Sequence, residues 1–204
     1  WGVYGGILKD FVKNPNIETL AKQGAILNNA FCTNSICTPS RAAILTGQYS
    51  NKNQVYTLDD ALDPNKENIA KDLQHAGYQT AVFGKWHLKK IPSGFDDFKV
   101  LPGHGVYHNP TYLSKDNWND NEEAGTPYQG YVDDITTQLS LDWLSQRNPD
   151  KPFFLLCHYK ATHEPFDFAD RFKDLYKDIE FPYPATFLDS GATTTGRSFE
   201  GQPL

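Results

Sequence analysis

The chain has 204 residues, of which 39% are hydrophobic and 14% aromatic, and its 19 Lys and Arg residues are outnumbered by 25 Asp and Glu residues to give a formal charge of -6. This length suits one domain or part of a larger one, and the aromatic content excludes a disordered chain. The acidic balance without a basic stripe argues against nucleic acid as a partner. The longest uninterrupted apolar run, residues 153–157, is far shorter than the roughly 18 residues that a membrane span needs.

The two ends and the cysteines carry further information. The chain begins with Trp1 and contains no Met, so we expect a processed product or a fragment. No positively charged segment with an apolar run opens it, so any secretory signal has been removed, lay upstream or never existed. The cysteines Cys32, Cys37 and Cys157 form an odd count without a C-x-x-C pair, which argues against a disulfide framework and a four-thiolate zinc site. Cys32 and Cys157 are expected in the core, where free cysteines are common.

Proline and glycine punctuation and apolar periodicity place the helices. Apolar residues recur at helical spacing, and several segments begin near a Pro or end before a Gly. The predicted helices are residues 15–23, a segment from just after Cys37 to Gly47, residues 69–76, residues 130–147 and residues 168–177.

Strands are predicted where short runs are rich in apolar, aromatic and β-branched residues, at 25–31, 78–83 and 153–159. Residues 92–128 carry many Pro, Gly, Asn and Asp residues with little periodicity. That stretch is too long for a plain connection in a compact domain. We therefore predict a surface insertion there.

Helices that alternate with buried strands predict an α/β fold, a mostly parallel sheet flanked by helices. In such folds, sites form at the carboxyl ends of the strands. Cys37 follows the first predicted strand, Lys85 and His87 follow the second, and His163 follows the third. We therefore expect these side chains to converge.

Cys37 stands at a predicted helix start, with Arg41 one turn later. A helix N-terminus and a nearby cation both stabilise an anion, which favours a reactive thiol. A free cysteine is also commonly a small buried hydrophobe, and both interpretations stay open on these residues alone. Cys37 and Arg41 lie too close in sequence for a tyrosine-phosphatase loop.

Lys85 and His87 lie two residues apart at a strand end, where alternation points both side chains the same way. They could hold one oxyanion, or be an exposed Lys and a His bonded to backbone. His163 could likewise be an ordinary loop residue and His158 a buried strand residue. The other histidines are expected in surface or loop positions without a functional partner: His75, His104 and His108.

Two segments together resemble the signatures of the type I, formylglycine-dependent sulfatases of the alkaline-phosphatase-like superfamily. One reads C-T-P-S-R at 37–41 and continues through Ala42, Leu45, Thr46 and Gly47; the other runs from G-Y-Q-T at 77–80 to G-K-W-H at 84–87. Residues 14–17 and 151–165 are similar to flanking family segments. The resemblance covers most of residues 1–165 and implies the sulfatase fold, incomplete in this chain.

The resemblance implies the role of each site residue. Cys37 would be converted by a formylglycine-generating enzyme or an anaerobic maturase to formylglycine, whose hydrated aldehyde attacks sulfur. Arg41 and Lys85 would hold the hydrated aldehyde, with Lys85 also binding the substrate. His87 would bond the hydroxyl that is deprotonated, and His163 would bind sulfate or assist the leaving oxygen. A calcium ion would be a further cofactor, with formylglycine at position 37 among its ligands.

The chain departs from the family pattern at both ends. The family's paired aspartates precede the stretch that residues 1–5 resemble, and its later metal ligands and second sulfate-binding Lys have no match before Leu204. We therefore predict an internal fragment of a bacterial glycan sulfatase or arylsulfatase. Residues 1–204 would form a partial N-terminal catalytic domain that is inactive alone.

The leading function is hydrolysis of a sulfate ester, with a sulfated carbohydrate as the expected substrate and a periplasmic or secreted location by resemblance. A phosphate or phosphonate ester hydrolase of the same superfamily is one alternative. A catalytically dead protein that binds sulfated glycans is the other. Aromatic residues in the 92–128 segment could stack on sugar rings or simply anchor a loop.

Overall fold

A computed structural model of the protein describes residues 2–120, 122–123 and 125–188 and divides into two compact units. The smaller unit combines residues up to 30 with those from 175 onward, and the larger comprises residues 31–174.

Five α-helices and five strands are assigned among the described residues. The helices are α1 (Pro15–Gln23), α2 (Cys37–Thr46), α3 (Ser50–Asn53), α4 (Ile69–His75) and α5 (Val132–Gln146). The strands are β1 (Gln79–Lys85), β2 (Asp97–Leu101), β3 (Thr111–Ser114), β4 (Thr126–Pro127) and β5 (Phe153–His158). Short 3₁₀ turns occur at Gly2–Tyr4 and Asp170–Phe172. No helix among the described residues is long and apolar enough to cross a membrane.

The larger unit is built on one sheet with the strand order β4-β3-β2-β1-β5. β1 pairs in parallel with β2 on one side and β5 on the other, whereas β3 and β4 are antiparallel additions. Six of the seven β1 residues are buried, as expected of a central strand covered on both faces. The predicted α/β fold is thus confirmed, as a mixed sheet with a parallel centre.

The core of the larger unit surrounds β1 and β2. A main cluster includes Val82, Phe98, Val100 and Leu113, all fully buried. A second cluster joins Leu101, Tyr107, Tyr112 and Val132 beneath α5. Trp86, directly after β1, belongs to the main cluster and Leu101, the last residue of β2, to the second, so packing holds the carboxyl ends of both strands.

Residues 92–128 do not form the predicted surface insertion. They supply β2, which extends the sheet beside β1, and also β3 and β4. Phe98 and Val100 alternate with the half-buried Lys99, the period-two pattern of a strand. Apart from Pro127 in β4, the Pro and Gly residues that suggested an insertion lie in the connections before and between these short strands.

Two other sequence predictions are wrong. Residues 25–31 form no strand, and Leu27 and Phe31 are 70% and 88% exposed. No strand of the described sheet pairs with them, so their backbone has no ladder to join. Residues 168–177 form only the 3₁₀ turn Asp170–Phe172, since the segment buries no apolar face that would stabilise a short helix.

The cysteines divide differently from the expectation. Cys32 is exposed rather than part of the core, whereas Cys37 and Cys157 are half-buried. Cys157 lies in β5 and accepts a hydrogen bond from the Ser140 hydroxyl at 3.3 Å. Cys157 is therefore packed between the sheet and α5.

The smaller unit holds α1 and an aromatic cluster of its own. α1 begins at Pro15, as predicted, and Gly24 donates its backbone N–H to Leu20 at its end. The Phe181 ring lies 5.8 Å from the Phe11 ring and 5.4 Å from the Tyr176 ring. These edge-on contacts join the two stretches of chain that form the unit.

Candidate active site

The predicted side chains lie at the carboxyl ends of the parallel strands. Lys85 is the last residue of β1, and His163 follows β5. His104, which the sequence had placed in an ordinary loop, follows β2 and joins them. Ligand atoms of Cys37, His104 and His163 all lie within 4.8 Å of one another. The expected convergence is therefore observed, with one residue more than the sequence predicted.

Cys37 is the first residue of α2. Ile36 before it is extended, and the first helical hydrogen bond runs from the Ser40 N–H to the Ile36 carbonyl. Gly47 ends the helix in the left-handed conformation at φ 65°, as the sequence predicted. The free N–H groups and the helix dipole favour an anionic group at the Cys37 position.

Lys85 faces the thiol from the end of β1. Its side chain is buried, and Nζ lies 3.6 Å from Cys37 Sγ and 3.3 Å from His104 Nδ1. Burial lowers the pKa of Lys85, while the attraction of the Cys37 thiolate opposes that shift. A desolvated cation held this close would stabilise negative charge strongly at position 37.

Arg41 joins α2 to the strand ends. Its Nη1 donates to the Lys85 carbonyl at 2.7 Å and lies 3.2 Å from His158 Nδ1. His158 Nδ1 also lies 3.1 Å from the same Lys85 carbonyl, so it stands between a group that can only donate, the guanidinium, and one that can only accept, the carbonyl. Burial, and secondarily the Arg41 charge, lower the pKa of His158 to about 4. A neutral His158 thus supports Arg41 without repelling it.

His87 adopts a left-handed backbone conformation at φ 56° and is 5% exposed. Its ring centroid lies 4.2 Å from that of His104. Burial, and then the charges of His104 and Lys85, lower the pKa of His87 to about 4. Its buried Nδ1 has no hydrogen-bond partner among the described residues. His87 is therefore a neutral imidazole near neutral pH, in the form that can accept a proton.

His104 and His163 complete the polar group, with ring centroids 4.8 Å apart. The Lys85 ammonium donates to His104 Nδ1, so the His104 proton lies on Nε2. His163 Nδ1 lies 2.8 Å from the Glu164 carbonyl, which can only accept, and this contact leaves Nε2 of His163 free. His104 can therefore donate from Nε2, whereas Nε2 of His163 is left open by the contact at Nδ1.

Lys160 and Tyr107 hold these two histidines in place. The buried Lys160 ammonium donates to the His104 carbonyl at 3.0 Å and lies 4.7 Å from the Tyr107 ring centroid. The Tyr107 hydroxyl donates to the His163 carbonyl. Asp133 at the start of α5 accepts the Lys160 N–H at 2.8 Å and the Ala161 N–H at 3.1 Å. The segment that carries His163 is thereby fixed to both β5 and α5.

A cleft of about 860 Å³ opens beside Cys37. The wall that leads away from Cys37 is apolar, with Ile44, Leu88 and Phe154, whereas Arg41, Lys85 and Lys160 lie at the polar end. None of the described residues that line this cleft is an Asp or Glu. The site is therefore electropositive and suited to an anion.

Comparison with known proteins shows the family. The sulfatase family model matches residues 1–185, so the chain belongs to the sulfatase family. It is 35% identical over 189 residues to an N-acetylglucosamine-6-O-sulfatase of Bacteroides thetaiotaomicron, covering 91% of this chain and 32% of that protein. It is 29% identical over 196 residues to human N-acetylgalactosamine-6-sulfatase, covering 81% of this chain and 38% of that protein. The chain thus spans about a third of the length of these relatives.

Solved structures agree with this assignment. A protein in complex with its substrate D-glucosamine-2-N,6-O-disulfate superposes with a TM-score of 0.85 at 33% identity, covering 93% of this chain and 37% of that one. A phosphonate monoester hydrolase of Agrobacterium radiobacter gives a TM-score of 0.59 at 21% identity, covering 84% and 40%, which shows a shared fold alone. The predicted resemblance to sulfatases is thereby confirmed.

Proposed function

We propose that the full-length protein hydrolyses sulfate esters at the site around position 37. The observation that carries this proposal is the placement of Cys37 at the start of α2 with the buried Lys85 ammonium 3.6 Å from its sulfur. Arg41 and four histidines lie near this pair: His87, His104, His158 and His163. None of the described residues that line the cleft is a carboxylate. Such a site would bind a sulfate group and stabilise the charge that develops during its transfer.

Position 37 fits conversion to formylglycine by a maturase. Cys37 is half-buried and borders the cleft, and the cations near it would stabilise an ionised oxygen. Once converted, this residue would supply a hydrated aldehyde oxygen as the nucleophile toward sulfur. An unmodified thiol among the same cations would attack through sulfur, whereas the hydrated aldehyde would attack through oxygen.

The surrounding residues have complementary roles. Lys85 holds an ammonium against the nucleophile, and Arg41 fixes the start of α2 to the end of β1 while keeping its charge near the same position. His87, neutral because burial lowers its pKa to about 4, accepts a proton. His163 keeps Nε2 open and, when the ring is protonated, gives that proton to the leaving oxygen or binds sulfate through it.

Calcium is the other cofactor implied by the family. It prefers six to eight oxygen ligands. The described residues that come together as possible metal ligands are Cys37, His104 and His163, which offer sulfur and nitrogen. Once converted to formylglycine, position 37 would offer an oxygen instead of sulfur. One oxygen beside two imidazoles does not make a calcium site, and we propose that the other oxygen ligands come from the part of the protein outside this chain.

We propose a 6-O-sulfated amino sugar as the substrate. The relative at 35% identity is named for N-acetylglucosamine 6-O-sulfate. The solved structure at 33% identity holds D-glucosamine-2-N,6-O-disulfate as its substrate. A periplasmic or secreted location suits such a substrate, since sulfated glycans are extracellular polymers.

Sulfate release from matched esters tests the proposal. We expect the full-length, matured protein to hydrolyse N-acetylglucosamine 6-O-sulfate, and to cleave 4-nitrophenyl sulfate faster than the corresponding phenylphosphonate ester. Cys37→Ala should remove both sulfatase activities. Cys157→Ser is the control, because Cys157 is also a half-buried cysteine but lies away from the cleft. Faster turnover of the phosphonate ester would favour the alternative hydrolase, and binding without turnover would favour the glycan-binding alternative.

A further inference from the structure

A second pocket, of about 470 Å³, lies directly beside the site and shares His104 and His163 with it. Because these two rings also lie close to Cys37, a sulfate bound there could point its ester oxygen toward this pocket. The volume is within the range of roughly 300–1,000 Å³ that is typical of small-molecule sites. We propose that this pocket binds the sugar ring that carries the sulfate, with Asp167 as the residue that recognises its hydroxyl groups.

One wall of this pocket is formed by His108 and Asp167, and its chemistry suits a neutral ligand with several hydroxyl groups. Asp167 Oδ2 lies 3.3 Å from His108 Nε2, and the two side chains are 45% and 39% exposed, so both remain accessible. A carboxylate accepts hydrogen bonds from two hydroxyls, and an imidazole can add one more contact. This wall differs from that of the larger cleft beside Cys37, whose described lining residues include no carboxylate.

Aromatic contacts hold the wall of the pocket in place in the absence of a ligand. Tyr107 is buried and stacks on Tyr131 at 6.0 Å with an interplanar angle of 17°. The Tyr131 hydroxyl lies 3.4 Å from the Asp167 carbonyl, and the His108 ring lies 5.6 Å from Tyr131. Tyr131 thus contacts both partners of the recognition pair. A preformed wall loses less entropy on binding, which favours discrimination between ligands.

The inference rests on the proposed sulfatase activity. It predicts that Asp167 contributes to binding of the sugar and not to cleavage of the sulfate ester. In the full-length protein, Asp167→Ala and Asp167→Asn should lower kcat/KM for N-acetylglucosamine 6-O-sulfate by about 10- to 100-fold, the loss of a hydrogen bond to a charged group. Turnover of 4-nitrophenyl sulfate, which has no hydroxyls, should change by less than about two-fold. Asp134→Asn is the matched control, since Asp134 pairs with Arg171 at 2.5 Å and does not line the pocket; both of its rates should remain unchanged.

Two results would overturn this inference: an equal loss on both esters, or no loss on the sugar ester. A measurement without turnover keeps it separate from the proposed function. Saturation-transfer NMR with N-acetylglucosamine should show binding to the wild-type protein and none to Asp167→Ala, with an unchanged thermal midpoint. Binding that survives in Asp167→Ala contradicts the sugar pocket, whereas a wild-type protein that cleaves neither ester contradicts the sulfatase proposal.

Discussion

Replacing Lys85 with Met in the full-length protein is expected to lower kcat/KM for sulfate esters by about 10²- to 10³-fold, the usual loss when one preorganised charge is removed. Lys85 Nζ is the cation at 3.6 Å from the position 37 side chain, and it also sets the tautomer of His104 through the 3.3 Å contact. Met keeps the length of the apolar stem, so the change removes charge more than volume. Steady-state kinetics with 4-nitrophenyl sulfate measures the loss.

The stability of the same variant distinguishes catalysis from packing. Burial lowers the pKa of Lys85, so its ammonium is held at a desolvation cost. Removing that charge should leave the thermal midpoint unchanged or higher. Lys66→Met, at a half-buried lysine that does not line the cleft, should leave activity unchanged. Lys85→Met activity within ten-fold of wild type, or a loss matched by a lower midpoint, would refute the assigned role.

Gly84→Ala is expected to be the most damaging single-methyl change among the residues that position the site. Gly84 has φ +95°, and an added Cβ would lie 1.9 Å from the His158 carbonyl oxygen and 2.9 Å from Thr136 Cγ2. Relief of this clash requires β5 and α5 to move away from β1, which would displace Lys85 and His158 together. We expect a destabilisation of at least about 4 kcal/mol, in the range reserved for severe steric disruption.

Gly77→Ala is the matched control for that change. Gly77 has a similar φ of +89°, but an added Cβ meets nothing within 4 Å. Its cost should be limited to about 1–2 kcal/mol of left-handed strain. Chemical denaturation of both variants measures the difference. Equal destabilisation would show that backbone strain, not the close approach of β1 and β5, requires glycine at position 84.

The sequence predicted the parts of the fold that have strong local punctuation. Pro39 lies in the first turn of α2 and Gly47 ends the helix. The apolar residues of β1 and β5 are typical of buried parallel strands. The expectation that Lys85 and His163 meet needed only the rule that parallel strands end at one edge of a sheet. Cys37 was expected there because it follows the segment 25–31, which forms no strand, so its position at the start of α2 does not follow from that rule. That rule predicts which residues lie at the same edge of the sheet, but not which side-chain atoms are in contact.

The sequence did not place His104 in the site because it did not predict strand β2. β2 is only five residues long and lies in a stretch rich in Pro and Gly, so the composition of 92–128 masked it. The alternation of Phe98, Lys99 and Val100 was the available signal. Without β2, His104 had no strand to follow, and its approach to Lys85 depends on a long-range pairing that local sequence does not encode.

The wrong strand at 25–31 has the opposite cause. Ile26, Leu27 and Phe31 favour a strand locally, but a strand also needs a neighbour for its backbone hydrogen bonds. None of the described strands pairs with this segment, and Asn28 and Asn29 form a turn within it. Local preference alone therefore did not decide its conformation.

The most direct test of the account is the mass of the tryptic peptide 23–41 from the full-length protein of its native source. Cys32 and Cys37 lie in the same peptide, so fragmentation must locate any change. We expect an aldehyde or its hydrate at position 37, with the sulfur lost, and an unmodified cysteine at position 32. An intact thiol at position 37 in protein that hydrolyses sulfate esters would contradict it.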